Sequence, residues 1–281
     1  MQISRISSND SEFPDVLRAL ANPPKSINVL GKMPFGHYVA IVGTRKCTAY
    51  GRQITYQLAR DLARAGAVIV SGLAAGVDGI AHQAALDVGG KTVAVLGHGL
   101  NRIYPHAHRP LAMDILAGGG ALVSEYDLGV PPLPHHFVER NRIIAGLSEA
   151  LIVTEAGVDS GALITANAMK QLQRRIMAVP GNLTSPSAAG PNNLIYDGAL
   201  FIRSASDVIA DLGYLTHEPI PVPARSPQEA KLLELMGKST ATADALIEAS
   251  GLSAAEFANI ISLMEITGKV RNLGAGLWAA R

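Results

Sequence analysis

From Tyr38 onward, short apolar runs alternate with longer amphipathic ones. YVAIVG (38–43) has the length of a strand rather than a helix. TAYGRQITYQLARDLARAG (48–66) places Ile54, Leu58 and Leu62 at helical spacing and stops at Gly66. The alternation continues through AVIVSG, GVDGIAHQAALDVGG, TVAVLG, RPLAMDILAGGG, ALVSEY, RNRIIAGLSEA, ALIVTEA, GALITANAMKQLQRR and IMAVPG. Apolar runs without polar alternation mark strands covered on both faces, and the helices between them are the crossovers that parallel strands need. The pattern predicts an α/β fold over residues 37–214: a doubly wound, mostly parallel sheet with right-handed connections. Residues 1–36 are weakly periodic and contain prolines, so they read as a lead-in segment.

The periodicity breaks after Tyr214. LTHEPIPVPARSPQ is rich in proline, so residues 215–225 read as a linker. Residues 226–281 then show three short helical patterns, QEAKLLELMGK, ATADALIEAS and SAAEFANIISLMEITG. KVRNLGAGLWAAR follows, with two strand-like runs around glycine turns. Three helices and a β-hairpin suggest a winged helix.

Of the 281 residues, 48% are hydrophobic and 17% charged, which suits a sizeable core and excludes a disordered chain. The net charge of +1 excludes coating of nucleic acid by bulk charge, so any anion site must be local. Cys47 is the only cysteine, which excludes disulfides and Cys-rich zinc sites and points to a reducing compartment. With a polar N-terminus and no apolar run of membrane length, the expected location is the cytoplasm.

Ligands of open parallel sheets bind beyond the carboxyl ends of the strands. Here those ends carry VGTR (42–45), SGLAAGVDGIAH (71–82), LGHGLNRIYP (96–105), EAGVDSGALITA (155–166) and VPGN (179–182). Glycine admits close approach of the main chain, and a following helix directs unpaired N–H groups at an anion. Gly43, Thr44, Ser71, Gly72, Ser160, Gly161 and Gly181 are therefore candidate phosphate-binding positions. Gly43 is followed by Arg45 and Lys46 instead of further glycines, which argues against a dinucleotide cofactor. The absence of a Walker sequence argues against nucleotide hydrolysis, and no cofactor is expected.

Arg45, at a glycine loop, and Arg140 and Arg142, flanking Asn141 at an expected helix start, suit phosphate oxygens. Arg174 reads as complementing a helix dipole, while Arg175 is open to either role. The spacing of the eight histidines argues against a metal site. Asp78 and His82 stand four apart on one helix and form either an acid–base pair or, for Asp78, a helix cap. Phe137 is either a core residue or a stacking platform for bases.

AIVGTR, SGLAAGVDGIAHQAAL, GLNRIYP, LVSEY, F-x-x-RNRIIAGLS, TEAGVDSGALITANA, AVPGN and GPNNLIYDGA occur in the order found in the DNA-processing protein A (DprA, Smf) family, which the chain resembles from about residue 15 to residue 210. The resemblance implies an extended Rossmann-like domain and a C-terminal winged helix. It also implies sequence-independent binding of single-stranded DNA, homodimerisation, and loading of RecA recombinase in natural transformation. By motif it makes Arg45 the phosphate-pocket arginine, Phe137 the stacking ring and Arg175 a basic contact, with Ser71, Gly72, Ser160 and Gly161 as pocket amides. Two departures from the resemblance stand out: residues 1–36 read as a lead-in rather than as the helical domain expected before this one in many members, and Pro191 stands where a small residue is usual. A nucleotide sensor and an enzyme similar to the nucleoside-monophosphate phosphoribohydrolases are the alternatives. The enzyme lacks support, because no PGGxGTxxE glutamate follows Glu155. Residues 225–281 carry six cations and six anions, and the third helical pattern has no Lys or Arg. This tail is therefore expected to touch protein or nothing, rather than duplex DNA.

Overall fold

The apolar runs of the first 213 residues assemble into one nine-stranded sheet. The computed structural model describes residues 2–213, 224–237, 240–267, 269–274 and 276–280. The chain divides into two compact units, residues 1–220 and 221–281. Most of the expected linker, 215–223, lies outside the described residues.

The first unit begins with β1 (Ile3–Ser7), α1 (Asp15–Arg18) and β2 (Ser26–Gly31). The regular alternation follows: β3 (Tyr38–Val42), α2 (Ala49–Arg64), β4 (Val68–Ser71), α3 (Val77–Asp87) and β5 (Thr92–Leu96). Next come α4 (Arg109–Ala117), β6 (Ala121–Ser124), α5 (Pro134–Leu147), β7 (Ala150–Val153), α6 (Gly161–Gln171) and β8 (Arg175–Ala178). α7 (Ala189–Tyr196), β9 (Leu200–Phe201) and α8 (Ala205–Leu212) close the unit. The sheet order is β1-β2-β6-β5-β4-β3-β7-β8-β9. β1 with β2 and β2 with β6 are antiparallel, and every other pair is parallel. From β3 the chain builds one half through β4, β5 and β6, then returns beside β3 with β7 to build the other. The order therefore reverses between β3 and β7, which opens a crevice at their carboxyl ends.

The lead-in segment is part of this sheet. Asn28–Gly31 pair with Ala121–Ser124, and β1 pairs with Ser26–Leu30 of β2. Phe13 and Leu17 beneath them are fully buried. Gly146 of α5 makes room for α1, since a Cβ there would stand 2.8 Å from Leu17 Cδ2. Periodicity missed this because β1 is short and only partly covered, so its sequence need not alternate cleanly.

The second unit contains α9 (Pro227–Met236), β10 (Thr240–Thr242), α10 (Ala243–Ser250), α11 (Ala254–Ile266), β11 (Val270–Gly274) and β12 (Leu277–Ala280). Its three helices and hairpin match the expected winged helix, with β10 completing a three-stranded antiparallel sheet. Ser226, Thr242 and Ser253 cap the three helices. Leu232, Leu246, Phe257, Ile261, Met264 and Trp278 form its own core. Lys269 is buried in an ion pair with Glu229.

Leu17→Ala is expected to lower unfolding free energy by about 3 kcal/mol, as for a fully buried leucine. Chemical denaturation of the full chain checks this; a change within about 0.5 kcal/mol would mark residues 1–36 as peripheral.

Candidate functional site

At the reversal between β3 and β7 lies a groove of about 1040 Å³. The loop after β3 supplies Gly43, Thr44, Arg45 and Lys46; the loop after β7 and the start of α6 supply Gly157 to Ala162; α5 supplies Phe137, Arg140 and Asn141. Eight of the thirteen sequence-predicted site residues thus meet in one place: Gly43, Thr44, Arg45, Phe137, Arg140, Asn141, Ser160 and Gly161.

The β3 loop is held from both sides. The Thr44 amide donates to Glu155 O at 2.7 Å, and its carbonyl accepts from Val77 N at 3.2 Å. Gly43 permits this approach, because a Cβ there would stand 2.6 Å from both Glu155 O and a Val77 methyl. Gly76, at φ +80, turns the chain against the Thr44 carbonyl. Arg45 is exposed, with its guanidinium carbon over the Phe137 ring, 5.6 Å from the centroid. Phe137 is half-buried against Gly97, with the His98 ring edge-on at 6.5 Å. It acts as a shelf that restricts the guanidinium before any ligand arrives.

Across the groove, Ser160 caps α6 by accepting from Ala162 N at 3.3 Å, and Asn141 Nδ2 donates to Gly161 O at 3.1 Å. The Gly161 amide opens the helix and has no intrahelical acceptor. Nothing lies within 4 Å of the point where a Gly161 Cβ would stand. A helix N-terminus whose first amide has no intrahelical acceptor, lining the same groove as an exposed guanidinium, is an arrangement that attracts an anion.

Arg140 has a different position from the one its sequence suggested. α5 begins at Pro134, because proline suits the first helical turn, and this carries Arg140 into the helix interior. Its side chain is buried and donates to Gly72 O at 2.8 Å and to Val95 O. Burial lowers the guanidinium pKa to about 10, with nearby Arg45 acting in the same sense and Asp78 opposing. Arg140 stays charged at neutral pH and forms the groove floor. Asp78 accepts from the amides of Gly72 and Ala74 at 3.1 and 3.3 Å. Burial raises its carboxyl pKa, against the opposing charge of Arg140. The Gly72 amide is therefore engaged within the protein, as is the Ser71 hydroxyl, which donates to Ile41 O.

Four further readings are corrected. Arg142 is ion-paired with Glu125 and does not line the groove. Arg175 starts β8, at the opposite end of the strands from the groove, and pairs with Asp211 at 3.3 Å. Counting from the SGALITA helix finds a basic residue but not the end of the sheet it occupies. Gly181 lines a separate hollow with Thr48, Tyr50 and Glu155. The Glu155 carboxylate accepts from Thr48 N, Thr48 Oγ1 and Ser187 Oγ at 2.9, 2.6 and 3.0 Å, so it secures the start of α2. His82 does not pair with Asp78. Thr92 Oγ1 donates to Ile69 O, so it accepts the His82 Nδ1 proton at 2.6 Å, and the buried Nε2 has no partner. Sequence reading missed Tyr104, whose ring lies 5.7 Å from Phe137. Its only signal was an aromatic in a basic glycine loop. Among the described residues, no cluster of metal-ligating side chains occurs and no single helix is long and apolar enough to cross a membrane.

Comparison with known proteins gives one consistent result. The sequence profile described as DNA recombination-mediator protein A matches residues 4–213, and that of the DprA winged helix domain matches 216–276. Protein Smf of Escherichia coli is 37% identical over 280 residues, covering 95% of this chain and 75% of its own. DNA processing protein DprA of Bacillus subtilis is 41% identical over 213 residues, 75% of this chain and 71% of its own. The solved structure of DNA processing protein A from Streptococcus pneumoniae superposes with a TM-score of 0.69 at 37% identity, covering 75% of each chain. That from Helicobacter pylori, solved to describe its single-stranded DNA binding mode, gives 0.68 at 33% identity, covering 77% of this chain and 98% of its own.

A Cβ at residue 72 would collide with the Arg140 guanidinium, 2.6 Å from its central carbon. Gly72→Ala is expected to cost about 2 kcal/mol by overpacking. Gly161→Ala, which meets open space, is expected to change stability by less than about 0.5 kcal/mol. Denaturant titration of both variants checks the contrast. The buried His82 pKa is lowered from 6.5 to about 3, chiefly by desolvation and then by His108 and Arg140. Between these values the unfolded chain binds the extra proton, so stability is present above pH 6.5 and lost as pH falls toward 3. In His82→Gln this acid slope should be shallower by up to about 1.4 kcal/mol per pH unit, measured by denaturation across that window.

Proposed function

The chain belongs to the DNA recombination-mediator protein A family, and on that premise we propose that it binds single-stranded DNA in the switch-point groove without breaking a bond. The observation that carries this reading is the facing pair across the groove: Arg45 on its Phe137 shelf and the open N-terminus of α6. Two anion-seeking groups on either side of one channel suit a sugar-phosphate chain better than an isolated phosphate. A wide groove whose binding groups are cations, helix amides and an aromatic ring suits binding without sequence preference. The single-stranded DNA binding of the Helicobacter pylori relative supports the same choice.

The proposal is one of binding alone, since the Glu155 carboxylate is engaged by Thr48 and Ser187. The wider role is DNA processing in natural transformation: protecting the incoming strand and, as a homodimer, helping to load RecA recombinase. Family membership supports this wider role. The second unit is assigned contact with protein rather than duplex DNA. Lys231 donates to Ser250 O, and Lys269 is buried against Glu229. The exposed face of α11 carries Glu256, Asn259, Ser262 and Glu265, with no cation to meet a phosphate.

Arg45→Ala tests the groove. Affinity for oligo-dT should fall at least about fivefold, the loss expected for one charged hydrogen bond. The salt slope should lose about 0.7, one single-strand phosphate contact. A duplex of equal length should bind the wild type more weakly. Unchanged oligo-dT affinity would remove this groove as the binding site.

A further inference from the structure

We propose that Tyr104 is a base-stacking platform, which carries the bound strand out of the phosphate groove and across the loop that follows β5. The inference rests on the single-strand reading above and extends it to where the bases go.

In the free protein, Arg45 covers a face of Phe137, while His98 meets that ring edge-on. The ring that the sequence offers as the stacking surface is therefore occupied by a guanidinium and partly enclosed. Tyr104 stands next to it, with centroids 5.7 Å apart and planes inclined by 39°. It is 48% exposed, well above what a tyrosine held in a core would show. The spacing exceeds the roughly 3.4 Å per nucleotide of a stacked strand. Neighbouring rings so placed suit a strand whose bases are splayed apart rather than stacked on one another.

The surrounding charge favours the same path. Residues 101–110 hold Arg102, Arg109 and two histidines, and no carboxylate. Arg102 and Arg109 are both exposed. The field of Arg102 reaches His98, whose pKa is held below its ordinary value first by burial and then by Arg140 and Arg102. An exposed aromatic ring flanked by unpaired cations is the combination that holds single strands: cations follow the phosphates and rings take the bases. Because the attraction to a π-face does not depend on base identity, this contact adds affinity without sequence preference.

The test compares oligo-dT with an oligonucleotide of equal length whose central sites are abasic, using the full chain. Tyr104→Ala should weaken oligo-dT binding about tenfold, in the range for loss of one stacked base. The salt slope should stay as in the wild type, and binding of the abasic strand should not change. Tyr104→Phe should restore oligo-dT affinity, while Tyr104→Leu should not. Thermal melting of each variant should match the wild type, because the side chain is half-exposed and outside the hydrophobic cores. Wild-type affinity in Tyr104→Ala, or equal losses on both ligands, would overturn the stacking role while leaving the groove intact. If the wild type bound neither strand, the single-strand reading itself would fall, and this inference with it.

Discussion

A guanidinium almost cut off from solvent ties α5 to the ends of β4 and β5 beneath the groove. Arg140 reaches from α5 to the carbonyls of Gly72 and Val95, at the ends of β4 and β5, while Asp78 on α3 holds the Gly72 amide. One residue is thus clamped through both of its peptide groups by opposite charges. A buried charge is tolerated only when it is paired and hydrogen-bonded, and here each partner satisfies the other's need through the backbone. The clamp brings together α3, α5 and two strand ends, and the positions of Phe137 and Asn141 follow because they share α5 with Arg140.

The electrostatics of the groove are layered. The buried charge of Arg140 is nearly balanced by Asp78, so the floor contributes little net attraction. The exposed layer does the attracting: Arg45 and Lys46 on one bank, the N-terminus of α6 on the other. A chain with a net charge of only +1 thus carries a groove whose rim is locally cationic. The charge is local, and the glycines at 43, 76 and 161 keep Cβ atoms out of the places where backbone or ligand must come close.

Other polar groups that invite a catalytic reading are held in structural roles. Glu155 fastens the first turn of α2, and a side chain at Gly51 would strike its carboxylate. His82 is a neutral core residue fixed by Thr92. Arg142 and Arg175 each have a carboxylate partner. In the second unit, the buried ion pair of Lys269 withdraws one cation from the surface and exposed Lys231 ties its ammonium to Ser250 O, consistent with a module whose third helix is acidic and apolar outside.

The order of apolar runs and glycine stops determined the doubly wound sheet by itself, because buried parallel strands leave a local signature that needs no partner to be read. The Gly43–Arg45 loop and the Ser160–Gly161 helix start were legible for the same reason: each is a strand end followed by an amide-rich turn. Only the tertiary structure decided which cations line the groove. Arg140 and Arg142 are two residues apart in one helix, yet one enters the floor and the other turns to Glu125, since helical rotation separates them and packing assigns their surroundings. Arg175 and Gly181 were misplaced because sequence distance from a motif does not say which end of the sheet, or which hollow, a residue occupies. The pairing of Tyr104 with Phe137 spans 33 positions, and the docking of residues 28–31 depends on a strand formed near residue 121. Such contacts are non-local, so they leave no periodic trace in the chain.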